Sequence, residues 1–167
     1  MANVIEKIKL GFQHTRKVYS GSYPLYRMIC FFGVVSGVLS FGLNSWPASF
    51  VDATRDGAIY QNIFGGMQLV GCLLVLVGMY FHKEDEPSLQ KVSTALYLER
   101  TGCSLLVPVV ASYTWGVIQM NMGPPTTWAT LTLVAAGLYF VIRFIEIGRV
   151  LKTIRQETPK AEELKGE

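Results

Sequence analysis

Charge is what this sequence most lacks. Charged residues are 16% of the 167, against roughly 25% in soluble domains. They are also bunched. Met28–Val51, Gly57–His82 and Thr101–Ile142 hold no Asp, Glu, Lys or Arg over 24, 26 and 42 residues. Such gaps exclude a soluble enzyme, a disordered chain and a nucleic-acid-binding domain. Cysteine and histidine are scarce too. Cys30, Cys72 and Cys103 lie inside apolar stretches, are odd in number and form no CxxC. That excludes a disulfide framework and a metal site, and leaves three small buried apolar residues. His14 and His82 stand in separate flanking segments with no ligand-type spacing. No nucleophile with a base, no phosphate loop, no haem-ligand histidine pair and no lipidation signal is present. The expectation is a chain with no catalytic residues, no cofactor and no metal.

What is abundant is apolar sequence, half of all residues. A bilayer-spanning helix needs ~20 predominantly apolar residues. The first two gaps hold one span each. The third, as one straight helix, would be ~63 Å long, twice the hydrocarbon thickness. Asn121-Met122-Gly123-Pro124-Pro125 breaks it into a hairpin, with Thr126 or Thr127 able to cap the helix that follows. The fold class is therefore all-α: an integral membrane four-helix transmembrane bundle, with spans about 24–43, 59–81, 98–120 and 127–148. Span three could begin as early as Thr94. Asn44-Ser45-Trp46-Pro47 ends span one. Span four continues as a polar helix toward Gln156, and Thr158–Glu167 reads as a disordered mixed-charge tail. In domain terms, 24–149 is the bundle and 150–167 the charged C-terminal segment.

Residues 1–23 form a basic N-terminal segment. Ile5, Ile8, Phe12 and Tyr19 share one helical face, with Lys7, Lys9, Arg16 and Lys17 around the rest. This predicts an amphipathic helix on the membrane surface. The first apolar run is too long and starts too late for a secretory signal peptide.

Orientation follows from the cations. With four spans, 14 of the 15 Lys and Arg fall on the side of the termini, and only Arg55 falls opposite. Positive charge stays cytoplasmic on insertion, so both termini should be cytoplasmic, in the cell (inner) membrane or an organellar equivalent. Trp46, Trp115 and Trp128 fall at the predicted outer ends of spans, where indoles anchor.

Five charges lie within the spans: Arg27, Glu99, Arg100, Arg143 and Glu146. A bare charge at mid-bilayer costs ~2.5–3.5 kcal/mol or more, so an intramembrane ion-pair network is expected. Glu99 should pair with Arg143 or Arg27, and Glu146 with Arg100 or Arg27. Thr132, Ala136, Tyr139, Arg143 and Glu146 form one small, polar stripe that should face protein. Gln61, Gly65, Gln68 and Cys72 form a second stripe, suited to helix packing or to lining a pore. Gly33 and Gly37 make a GxxxG, with Ser40 on the same face, for close helix approach. Pro108 should kink span three.

The run GGMQLVGCLLVLVG (Gly65–Gly78), a charged segment, and LYLERTG (Leu96–Gly102) resemble small four-span, holin-like membrane proteins of actinobacterial bacteriophages. The resemblance implies membrane permeabilisation by oligomers and supplies no catalytic residues. Such proteins often end in a basic tail, whereas this one mixes lysine and glutamate. The functional expectation is a non-enzymatic multi-pass membrane protein acting through helix–helix association, with holin-like permeabilisation as its concrete form. Oligomers would form through Gly33 and Gly37, and the Gln61–Cys72 stripe would line the hole. The alternatives are an accessory or scaffold subunit of a larger membrane complex, or a small ion- or proton-coupled transporter. Expected partners are the lipid bilayer, further copies or other membrane subunits, and no nucleic acid.

Overall fold

The computed structural model describes residues 23–53, 57–80 and 89–163. The helices are α1 (Tyr23–Leu43), α2 (Ala48–Ala53), α3 (Ala58–Tyr80), α4 (Leu89–Asn121) and α5 (Trp128–Glu163). No strand occurs among the described residues. All but α2 are long and apolar enough to cross a membrane, which fits a multi-pass membrane protein. The amphipathic helix expected in the N-terminal segment lies outside the described residues.

Local chemistry sets the helix ends. Asn44 takes a left-handed conformation (φ 48°), and the Ser45 amide donates back to the Ser40 carbonyl at 3.2 Å. This closes α1 as a left-handed C-terminal cap, a role asparagine tolerates. Pro47 then opens α2, for its carbonyl accepts from the Phe50 and Val51 amides at 2.9 and 3.0 Å. Proline has no amide to waste in a first helical turn, so the residue expected only to break a helix also starts one. At the hairpin, Met122 is left-handed (φ 49°) and the Gly123 amide donates to Ile118 at 3.3 Å. Thr127 Oγ1 accepts from the Thr130 amide at 3.3 Å and so caps α5.

Two helices outrun their apolar cores. α4 begins at Leu89, ahead of both Thr94 and Leu98, and α5 runs to Glu163. The expected disorder from Thr158 onward is corrected over this stretch. Packing accounts for the extension as far as Ile154: Leu96, Ile147 and Leu151 are buried together, with Val92 and Ile154 against them. A hydrophobic seam thus prolongs both helices beyond the length that a bilayer requires.

α1 packs on α3, α3 on α4 and α4 on α5, while α2 rests on α4. The α3–α4 contact is the most intimate. A Cβ added at Gly78 would lie 2.8 Å from both the Ala95 carbonyl and the Glu99 amide, and one at Gly102 would lie 2.6 Å from the Gly71 carbonyl. Only glycine permits backbones this close. α1 and α5 meet through Tyr26, whose ring lies 5.0 Å from Tyr139 and 6.1 Å from Phe140. The main core draws on all four long helices: Tyr26 and Cys30, Cys72 and Val75, Cys103, Leu106 and Val110, Ala136 and Phe140.

Candidate functional site: an ion-paired end and a lateral cleft

The buried seam of α4 runs Leu96, Glu99, Cys103, Leu106, Val110, at alternating spacings of three and four. Glu99 therefore points inward because its neighbours on the same face do. On α5 the buried seam is Ala136, Phe140, Arg143, Ile147, Leu151. The two seams bring the charges together. Arg143 Nε donates to Glu99 Oε1 at 2.7 Å, and a second guanidinium nitrogen donates to Oε2 at 3.3 Å. The pair is bidentate, with both side chains under a tenth exposed. Arg143 also donates to Glu146 Oε2 at 3.3 Å, and the Glu146 side chain is 44% exposed.

The partner expected for Glu146, Arg100 or Arg27, is thus replaced by Arg143, one turn away on the same helix. The expected α5 stripe turns inward in part: Ala136 and Arg143 are buried and Tyr139 packs on Tyr26. Thr132 is exposed and its hydroxyl donates to the Trp128 carbonyl at 2.8 Å, so it faces away from protein. Phe140 and Ile147 complete the inward face.

Arg27 and Arg100 join no ion pair among the described residues. Arg27 is 5% exposed, its Nε lacks a hydrogen-bond partner, and its guanidinium lies 5.6 Å from the centre of the Tyr80 ring. Arg100 lies over Phe144 at 4.4 Å, again with a buried, unpartnered Nε. Cation–π contact offsets part of the desolvation in each case.

The small-residue stripes are spent within the chain. Gly33 packs against Cys72 and Gly37 against Leu69. Gln68 Nε2 donates to the Gly33 carbonyl at 3.0 Å, and Gly65 lies under the Trp46 ring. Gln61 is half-buried near the start of α3. The GxxxG of α1 and the stripe of α3 therefore meet each other, the helix packing expected of both, and Gly33, Gln68 and Cys72 also line a cleft beside that contact.

No protein-family model, curated protein or solved structure matches this chain. Function must come from its own geometry.

Two features were not foreseen. Cys30, Cys72 and Cys103 come from three helices into one buried cluster, as free thiols. The Tyr26 hydroxyl and Cys103 thiol share a hydrogen bond of 3.2 Å. Their spacing in sequence gave no sign of this convergence; inward-facing positions on separate helices become neighbours only on packing. The second is a cleft of about 340 Å3 between α1 and α5, floored by α3 and α4. Ile29, Phe32 and Ser36 form one wall, Leu133 and Phe140 the other, and Gln68 and Tyr113 lie between. Its surface is apolar apart from these hydroxyl and amide groups. No group of three or more His, Cys, Asp or Glu among the described residues is placed to hold a metal ion.

Proposed function

We propose that this is a non-enzymatic multi-pass membrane protein, a four-helix bundle with both termini cytoplasmic, that serves as an accessory or scaffold subunit. It binds one transmembrane helix of a partner membrane protein in the α1/α5 cleft. The observation that carries this reading is the cleft itself, open between two spans and bearing Ser36, Gln68 and Tyr113. Acyl chains cannot hydrogen-bond such groups, whereas another helix can, and small residues let it come close. Gly33 and Gly37 pack on Cys72 and Leu69 inside the chain, so the α1 GxxxG is engaged by α3, which favours this form of helix association over permeabilisation. The ion pair favours a structural role over transport, since both Glu99 oxygens already accept from Arg143.

The test is purification of the full chain in mild detergent from its native host. A membrane protein retained at fixed stoichiometry, and lost from a Ser36→Trp variant that melts like the parent, is the expected result. Ser36 lies on an exposed part of α1, so the bulk enters the cleft and leaves the core alone. Retention of the partner by Ser36→Trp would overturn the assignment of the cleft. Timed collapse of the membrane potential on expression, with no partner retained, would return the protein to the permeabilising class.

A further inference from the structure

The face of α4 and α5 turned away from the cleft carries a second depression, of about 330 Å3. Val107, Ala111 and Ile118 line it from α4, and Val134, Gly137 and Val141 from α5. Its polar lining is the Trp115 indole and Thr114, whose hydroxyl is satisfied by donating to the Val110 carbonyl at 2.9 Å. Helical periodicity carries both walls toward the end of the molecule that holds the charges. Arg100 is seven residues before Val107 and shares its face, while Phe144 and Gly148 continue the row of Val134, Gly137 and Val141. At that head of the groove the Arg100 guanidinium lies on Phe144. A Cβ on Gly148 would sit 3.4 Å from the guanidinium carbon, so the missing side chain makes room for the cation.

Among the described residues the cation has no counterion. Glu99 and Glu146, the acids on the facing stretches of α4 and α5, are both held by Arg143. The next residue on the Phe144–Gly148 face is Lys152, exposed and also positive. The distance from Arg100 to Ala111 is about 16 Å along the helix, half of the ~30 Å hydrocarbon thickness, or the depth of one leaflet. We infer that this groove is a seat for an anionic phospholipid: its phosphate meets Arg100 and Lys152, and one acyl chain lies over Val107, Ala111 and Val141. A guanidinium presents a fork of donors to phosphate oxygens. An anionic headgroup supplies the charge that the described residues do not, and the apolar channel beneath fits a hydrocarbon chain and nothing ionic. The inference stands apart from the partner helix assigned to the cleft, with which the groove shares Val110 alone among its lining residues.

The test uses the full chain in phosphatidylcholine vesicles containing a small fraction of phosphatidylglycerol with a photoreactive acyl chain. After irradiation, mass spectrometry of peptides locates the label. Label should concentrate on Val107, Ala111, Val134 and Val141. Unlabelled phosphatidylglycerol should compete about fivefold better than phosphatidylcholine, the preference that one cation near the surface confers. Arg100→Gln should abolish that preference, Arg100→Lys should retain most of it, and millimolar inorganic phosphate should not displace the label. Ala111→Trp, on an exposed position, should remove the label by filling the channel, and so tests the seat without touching Arg100. Each variant is compared at an unchanged thermal midpoint. Labelling spread equally over exposed α1 residues such as Phe31 and Phe32, equal competition by the two lipids, or displacement by free phosphate would each overturn the inference. So would protection of the groove by a second copy, seen as dimers when a cysteine placed at Ala111 is oxidised.

Discussion

The two ends of the molecule join their helices by opposite means. At one end, Glu99, Arg143 and Glu146 lock α4 to α5 through directed contacts, the shortest 2.7 Å. At the other, rings do the work. Phe50 of α2 stacks on Tyr113 at 4.6 Å and 18°, meets Phe64 edge-on at 6.1 Å, and touches Trp46, which in turn meets Phe41. A bidentate ion pair in apolar surroundings has one good geometry, and losing a partner strands a charge. Ring pairs tolerate several tilts and contribute ~0.5–1.5 kcal/mol each. The charged end should therefore fail abruptly and the aromatic end by degrees.

The largest effect is expected from breaking the pair. Glu99→Ala should lower stability by about 3–5 kcal/mol, measured as unfolding of the detergent-solubilised protein in dodecyl sulfate. The double variant Glu99→Met with Arg143→Met should recover most of that loss, because two apolar side chains of similar volume leave no stranded charge. If the double variant is as unstable as the single, the contrast between directed and diffuse closure fails. Next in size is Gly78→Ala. Its methyl would push on the Ala95 carbonyl and the Glu99 amide, separating α3 from α4 where the carboxylate is held. A loss of about 1–3 kcal/mol is expected, readable in the same titration. The smallest effect belongs to the aromatic end. Trp46→Phe keeps a ring against Phe41 and Phe50 and should cost about 1 kcal/mol or less. A loss as large as that of Glu99→Ala would show that the rings, too, act as a lock.

Much of this fold is legible in the sequence, because lipid imposes length and polarity together. The apolar runs place α1 and α3 almost to the residue. Less legible are the features set by packing between helices. α4 starts among Leu89, Gln90 and Lys91, which no hydropathy window would include, and α2 is six residues behind a proline. Within the site, charge pairing brings Glu99 to Arg143, a partner that elementary electrostatics proposes. The inward face of α5 is legible at Ala136 and Arg143, whereas Phe140 and Ile147 join it and Thr132 does not. The close α3–α4 crossing had a readable sign, Gly71 and Gly78 seven residues apart on one face. Helical spacing could have singled out that pair as readily as the Gln61–Cys72 stripe beside it. Trp46 shows the reverse, an indole expected at the interface that is drawn in over Gly65 by its neighbours.

The short turn between α4 and α5 gives the Glu99–Arg143 contact a consequence for biogenesis. Neither helix can leave the insertion machinery for lipid alone without carrying an unmatched ion, at a cost of ~2.5–3.5 kcal/mol or more. Emerging together, each neutralises the other. The last two spans should therefore partition as a single helical hairpin, held at the exit site until the arginine has been synthesised.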